Sequence, residues 1–65
     1  MIYYASTKDC GYETRTARIF INPSNYLVYI EGSHNIYERD VETFEEAVAL
    51  VKRDGFDAPV LESIY

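Results

Sequence analysis

The spacing of apolar residues changes once along this chain, and the change falls at Thr43. Before it, Thr14 to Ile21 alternates, with Arg15, Ala17, Ile19 and Ile21 on one face and Thr14, Thr16, Arg18 and Phe20 on the other. That is the period of a β-strand. After it, Phe44, Ala47, Val48 and Val51 recur at i, i+3, i+4 and i+7, the apolar stripe of a helix, which Leu50 widens. A single helix cannot bury its stripe alone, so it must lie across one face of the sheet that the alternating segments build.

The remaining elements follow from local signals. Met1 to Ser6 reads as a short strand, and Lys8-Asp9-Cys10-Gly11 as a turn. Asn22-Pro23-Ser24-Asn25 is a strong turn, because proline presets one dihedral and asparagine tolerates unusual ones. Tyr26 to Glu31 is the next strand and should form an antiparallel hairpin with Thr14 to Ile21. Gly32-Ser33-His34-Asn35 is a further turn, and Ile36 to Arg39 would add a short strand. Thr43-Phe44-Glu45-Glu46 is a capping box, with the Thr43 hydroxyl accepting from the Glu46 amide and the Glu46 carboxylate reaching back to the Thr43 amide. Glu45 and Glu46 in the first turn, and Lys52 and Arg53 in the last, suit the helix dipole. Gly55 is the expected left-handed stop, with Phe56 folding back on Val51. Asp57-Ala58-Pro59 is a loop, and Val60 to Tyr65 alternates as a last strand whose C-terminus should be ordered. The expected fold is α+β: an antiparallel sheet of four strands, or five if Ile36 to Arg39 contributes, with one helix on one face, in the order β-β-β-(β)-α-β.

The chain has 65 residues, enough for one compact domain over residues 1–65. A domain of this size buries only about 60% of its unfolded surface. Seven Tyr, three Phe and 48% hydrophobic residues nonetheless argue against disorder. No apolar run approaches the roughly 18 residues of a membrane span. Met1-Ile2-Tyr3-Tyr4 lacks the basic region and apolar core of an export signal. The single cysteine rules out an internal disulfide, which a secreted domain this small would ordinarily need. Beginning with Met and carrying no tag or linker, the chain reads as a complete, cytoplasmic gene product.

Charge is divided unevenly. Residues 1–30 carry a net +1 and residues 31–65 a net −6, giving −5 for the whole. Five acids (Glu38, Asp40, Glu42, Glu45 and Glu46) lie within nine residues, with Arg39 the single base among them. Such one-signed charge projects a directional field whose complement is a basic surface. A solvated patch that caps a helix is the plainer reading, and it accounts for Glu45 and Glu46. Glu31, Glu38, Asp40 and Glu42 have no such account.

Other chemistry fits less well. A calcium loop needs a glycine for its sharp turn, and none lies between Gly32 and Gly55. If Glu38, Asp40 and Glu42 lie on a strand, they share a face and repel one another. A catalytic carboxylate pair needs two distinct environments, and nothing distinguishes one acid from another. His34 beside Ser33 lacks a third group to orient it. Asp9 beside Cys10 disfavours a thiolate, partly offset by Lys8. Gly11, Gly32 and Gly55 are isolated, so there is no phosphate-cradling loop. Six bases are few for direct nucleic-acid binding, with Lys8, Arg15 and Arg18 forming at most a small basic spot. The reading is therefore of no catalytic residue, no metal, no cofactor, no direct nucleic acid and no membrane. The tyrosines exceed what so small a core can hold, so those facing the helix should be core and those on the other face exposed, as suits a binding surface.

Val41-Glu42-Thr43-Phe44-Glu45-Glu46-Ala47, followed by the helix, Gly55-Phe56 and a closing strand, resembles a pattern in small phage inhibitors of RNA polymerase and in short anti-CRISPR proteins. It is also similar to the N-terminal part of HicB-type antitoxins, which usually continue into a DNA-binding segment where this sequence stops. The resemblance implies a compact protein that acts by binding a larger machine. The expected function is that of an acidic, non-enzymatic inhibitor, a DNA mimic in effect. It would occupy a Lys/Arg-rich surface of a protein or ribonucleoprotein complex through Glu31, Glu38, Asp40, Glu42, Glu45 and Glu46, with Tyr37 as anchor. The alternative is an interaction module, an antitoxin or small homodimer, that binds through its Tyr-rich sheet or an edge strand.

Overall fold

The structure is a computed structural model that describes residues 2–32 and 35–63. Its elements are β1 (Ile2–Asp9), β2 (Thr14–Ile21), β3 (Tyr26–Glu31), β4 (Ile36–Val41), α1 (Phe44–Arg53) and β5 (Val60–Ser63). The strands form one antiparallel sheet in the order β4-β3-β2-β1-β5, with α1 on one face. The α+β architecture and the strand-helix order expected from the sequence are both present. The fifth strand exists, and β4 runs two residues past Arg39 to Val41.

Register makes one stripe of the sheet the core. Ala17 pairs with Ile30 and Ile19 with Val28, and these four are buried. On α1, Ala47 and Val51 meet them, both fully buried. The two alanines, one on the helix and one on the sheet, leave room for the layers to approach. Phe44, Val48 and Leu50 widen the contact as half-buried residues, and Tyr4 and Tyr26 pack on Phe44 with ring centroids 4.6 and 5.8 Å away.

The helix begins and ends where the sequence places its signals. Thr43 is extended (φ −123°, ψ 153°), and its hydroxyl accepts from the Glu46 amide at 3.2 Å. At the other end the Gly55 amide donates to the Lys52 carbonyl (3.0 Å) and the Phe56 amide to the Val51 carbonyl (3.3 Å). That bond pair, with Gly55 at φ 93°, is a Schellman ending. Phe56 is thereby turned into the core. Because β4 and β5 lie at opposite edges, the chain must cross the whole sheet between them. The backbone of α1 covers β3 and the flanks of β2 and β4, and the segment carrying Phe56 continues across to β5.

The first hairpin differs from expectation. β1 continues to Asp9, because Thr7, Lys8 and Asp9 find partners in Thr16, Arg15 and Thr14. The turn therefore starts later, closed by Cys10 amide to Glu13 carbonyl (2.9 Å) and by Gly11 amide to the Asp9 carboxylate (2.9 Å). The turn after β3 closes by Gly32 amide to Asn35 carbonyl (2.9 Å), while Ser33 and His34 lie outside the described residues. β5 is described as far as Ser63; Met1, Ile64 and Tyr65, and with them the expected order at the C-terminus, lie outside.

Candidate docking surface on the open sheet face

The face away from the helix carries the other half of each alternation. Register places Tyr3, Ala5 and Thr7 of β1, Thr16, Arg18 and Phe20 of β2, and Leu27, Tyr29 and Glu31 of β3 on it. β4 adds Ile36, Glu38 and Asp40, and β5 adds Val60 and Glu62. Glu38 stands opposite Tyr29, Asp40 opposite Leu27, and Ile36 opposite Glu31. Diagonal neighbours on one sheet face lie about 7–8 Å apart, so Glu31, Glu38 and Asp40 form one anionic border along β3 and β4.

Strand alternation separates that border from the base within it. Arg39 follows Glu38 in sequence but pairs with Val28, on the helix side. There it lines a groove with Val41, Glu46, Ala49, Leu50 and Arg53. Among the described residues no cation pairs with Glu38, Asp40 or Glu42. Glu31 differs, since Arg18 reaches it at 3.5 Å. Both side chains remain partly exposed, so this pair is screened and weak.

Arg18 also lies over the Tyr3 ring, 6.0 Å from its centroid, and Tyr3 lies 5.6 Å from Phe20, which meets Tyr29 edge-on at 6.5 Å. An aromatic row therefore crosses the open face from β1 to β3. This corrects the expected division of the tyrosines. Tyr3, on the uncovered side, is the buried one at 8% exposure, while Tyr4 and Tyr26 beneath Phe44 are half-buried. Tyr3 sits on an inner strand between Phe20 and Glu62, with a guanidinium above it, so its neighbours cover it without a second layer.

The other expected site residues are dispersed. Tyr37 pairs with Ile30 and faces the helix side, so it does not share the surface of Glu38 and Asp40. Glu42 follows β4, exposed, and Glu45 and Glu46 stand exposed on the first turn of α1. The structure thus groups Glu31, Glu38 and Asp40, places Glu42 beside them at the strand end, and puts Tyr37 and Glu46 around the edge. The aromatic row and Arg18 were not singled out as site residues. Their alternation is visible in the sequence, but which face the helix leaves open is not.

Lys8, Arg15 and Arg18 do not form one basic spot. Lys8 Nζ donates to the Asp54 carbonyl at 3.0 Å, and Arg15 bonds the Asp54 carboxylate at 2.9 Å. Both stand about the Phe56 ring, on the helix side, while Arg18 points to the open face. The first two cations lie where the helix dipole is negative, which gives them a structural task. No group of three metal-ligating side chains comes together among the described residues. Cys10 is a free, half-buried thiol. No described helix is long and apolar enough to cross a membrane. Compared with known proteins, the chain matches no family model, no curated protein and no solved structure.

Proposed function

We propose that this chain is a small acidic binding protein that occupies a basic, nucleic-acid-binding surface on a larger protein or ribonucleoprotein complex. It acts by exclusion and without turnover, in the manner of phage-encoded anti-CRISPR or host-takeover inhibitors. The observation that supports this reading most is the segregation of charge along β4. Glu38 and Asp40 face the open side with no cation among the described residues to pair them, and Arg39 is turned away. Carboxylates without an internal ion pair give up none when a cationic surface meets them. Complementary fields of this kind raise association rates more than they lower dissociation rates, and salt weakens them. A cytoplasmic setting goes with such a partner.

The test is retention of a partner from a bacterial lysate at low and high salt. The wild-type chain is compared with a Glu38→Lys, Asp40→Lys, Glu42→Lys variant whose unfolding midpoint has been checked. A nucleic-acid-binding complex should be held at low salt, released at high salt, and not held by the variant. Equal retention by a folded variant would overturn the reading. The second reading, an antitoxin or homodimer that docks through the sheet, draws on the Tyr3-Phe20-Tyr29 row. It requires association that salt leaves unchanged, and self-association visible as a doubled mass in light scattering.

A further inference from the structure

β4 is an edge strand. It pairs with β3 on one side, and no described strand pairs with it on the other. Residues Ile36 to Asp40 are all exposed, with Tyr37 at 40% and Ile36 at 63%. Alternate N–H and C=O groups along its outer side have no ladder partner, the condition in which an added strand can pair. On the helix side, the edge opens into a groove of about 270 Å³ with Val41, Ala49 and Leu50 as its apolar floor. Arg39 and Arg53 line it against one acid, Glu46.

We infer that β4 takes up an extended segment of the basic partner as a sixth strand, in a register that alternating charge dictates. This rests on the basic-partner reading above and specifies how the partner is held. Residues of the added strand that face Glu38 and Asp40 are Lys or Arg. The residue between them faces Arg39 and the groove, and is acidic. Those beyond face Tyr37 and Val41, and are apolar. The pattern is symmetric about Arg39, so a parallel and an antiparallel segment meet the same side chains.

A second copy of the chain does not meet this requirement. Pairing β4 antiparallel with itself about Arg39 puts arginine opposite arginine and Glu38 opposite Asp40. Centring the pair on Glu38 or on Asp40 sets that carboxylate against its own copy. Like charges placed directly opposite are destabilising. These three registers each oppose like charges, whereas a strand of complementary alternation opposes none, which favours a different chain as occupant.

The probe is a synthetic peptide with the core Val-Lys-Glu-Lys-Val. Its control is a peptide of the same composition with the core Lys-Lys-Val-Val-Glu. Both are titrated into isotope-labelled protein and followed by amide chemical shifts. The ordered peptide should bind about tenfold more tightly, the factor that three favourable cross-strand pairs supply together, with shifts concentrated on residues 36–41. Arg39→Glu, at an exposed position, should remove that preference while leaving the unfolding midpoint close to that of the wild type. Equal binding of the two peptides, lost together on charge reversal at Glu38 and Asp40, would overturn the added-strand inference and leave the basic-partner reading standing. If neither peptide binds and poly-lysine also fails to bind at low salt, both fall.

Discussion

Gly55 shows how one residue couples the helix to the sheet. At φ 93° it holds the left-handed position of the helix ending, and a Cβ built there would lie 2.8 Å from Lys8 Nζ. Gly55→Ala therefore meets backbone strain and also pushes Lys8 from the Asp54 carbonyl it caps. The expected cost is about 1–2 kcal/mol, read as a lower midpoint in urea unfolding. Gly11, at φ 90° with nothing within 4 Å of an added Cβ, isolates the strain alone. Gly11→Ala should cost less than Gly55→Ala. In the core, Ile19 is fully buried against Val28 and the helix. Ile19→Ala should cost about 2–5 kcal/mol and Ile19→Val about 0.5–1.5. Against a total of about 5 kcal/mol at the low end for small domains, the first should leave only about 0–3 kcal/mol, with the unfolding midpoint sharply lowered. The second should leave it folded and measurably weaker.

At the scale of elements, the helix was legible because each of its signals is local. Thr43 with the acids after it, and the terminal bases with Gly55 and Phe56, each act within a few residues of the helix end they mark. Thr43→Ala should lower stability by about 1 kcal/mol, and Thr43→Ser, which keeps the hydroxyl, by much less; thermal melts distinguish the two. Strand ends were less legible, because they depend on a partner strand and not on signals of their own. Thr7, Lys8 and Asp9 carry no alternation of their own, and they are strand because Thr14 to Thr16 folds back beside them. Ile36 to Arg39 reads as a short strand, and the ladder with β3 carries it on to Val41. An edge strand is exposed by construction, so hydrophobic patterning is a poor guide to it.

At the scale of the whole molecule, the acid count was plain in the sequence but its distribution was not. Strand alternation alone turns Arg39 from Glu38 and Asp40, and that much follows once β4 is known to be a strand. The pairing of Arg18 with Glu31, and the burial of Tyr3 on the uncovered face, depend on how β1, β2 and β3 align, which no local signal fixes. Tyr37 falls on the other side of β4 for the same reason its neighbours line up: side chains alternate along a strand. The resulting surface, an aromatic row beside an anionic border, suits a partner that brings cations to the β4 side. Arg18→Gln would free Glu31 and add to the border, so association with such a partner should become faster at low salt, measured by stopped-flow mixing. No acceleration would show that Glu31 lies outside the contact.

The most direct measurement is competition on the partner itself. The complex retained from lysate at low salt is loaded with its own nucleic acid, and the chain is added in increasing amounts. Mutual exclusion is the expected result: nucleic acid leaves as the chain binds, and the variant reversed at Glu38, Asp40 and Glu42 displaces none. A stable ternary complex, with chain and nucleic acid bound together, would contradict it.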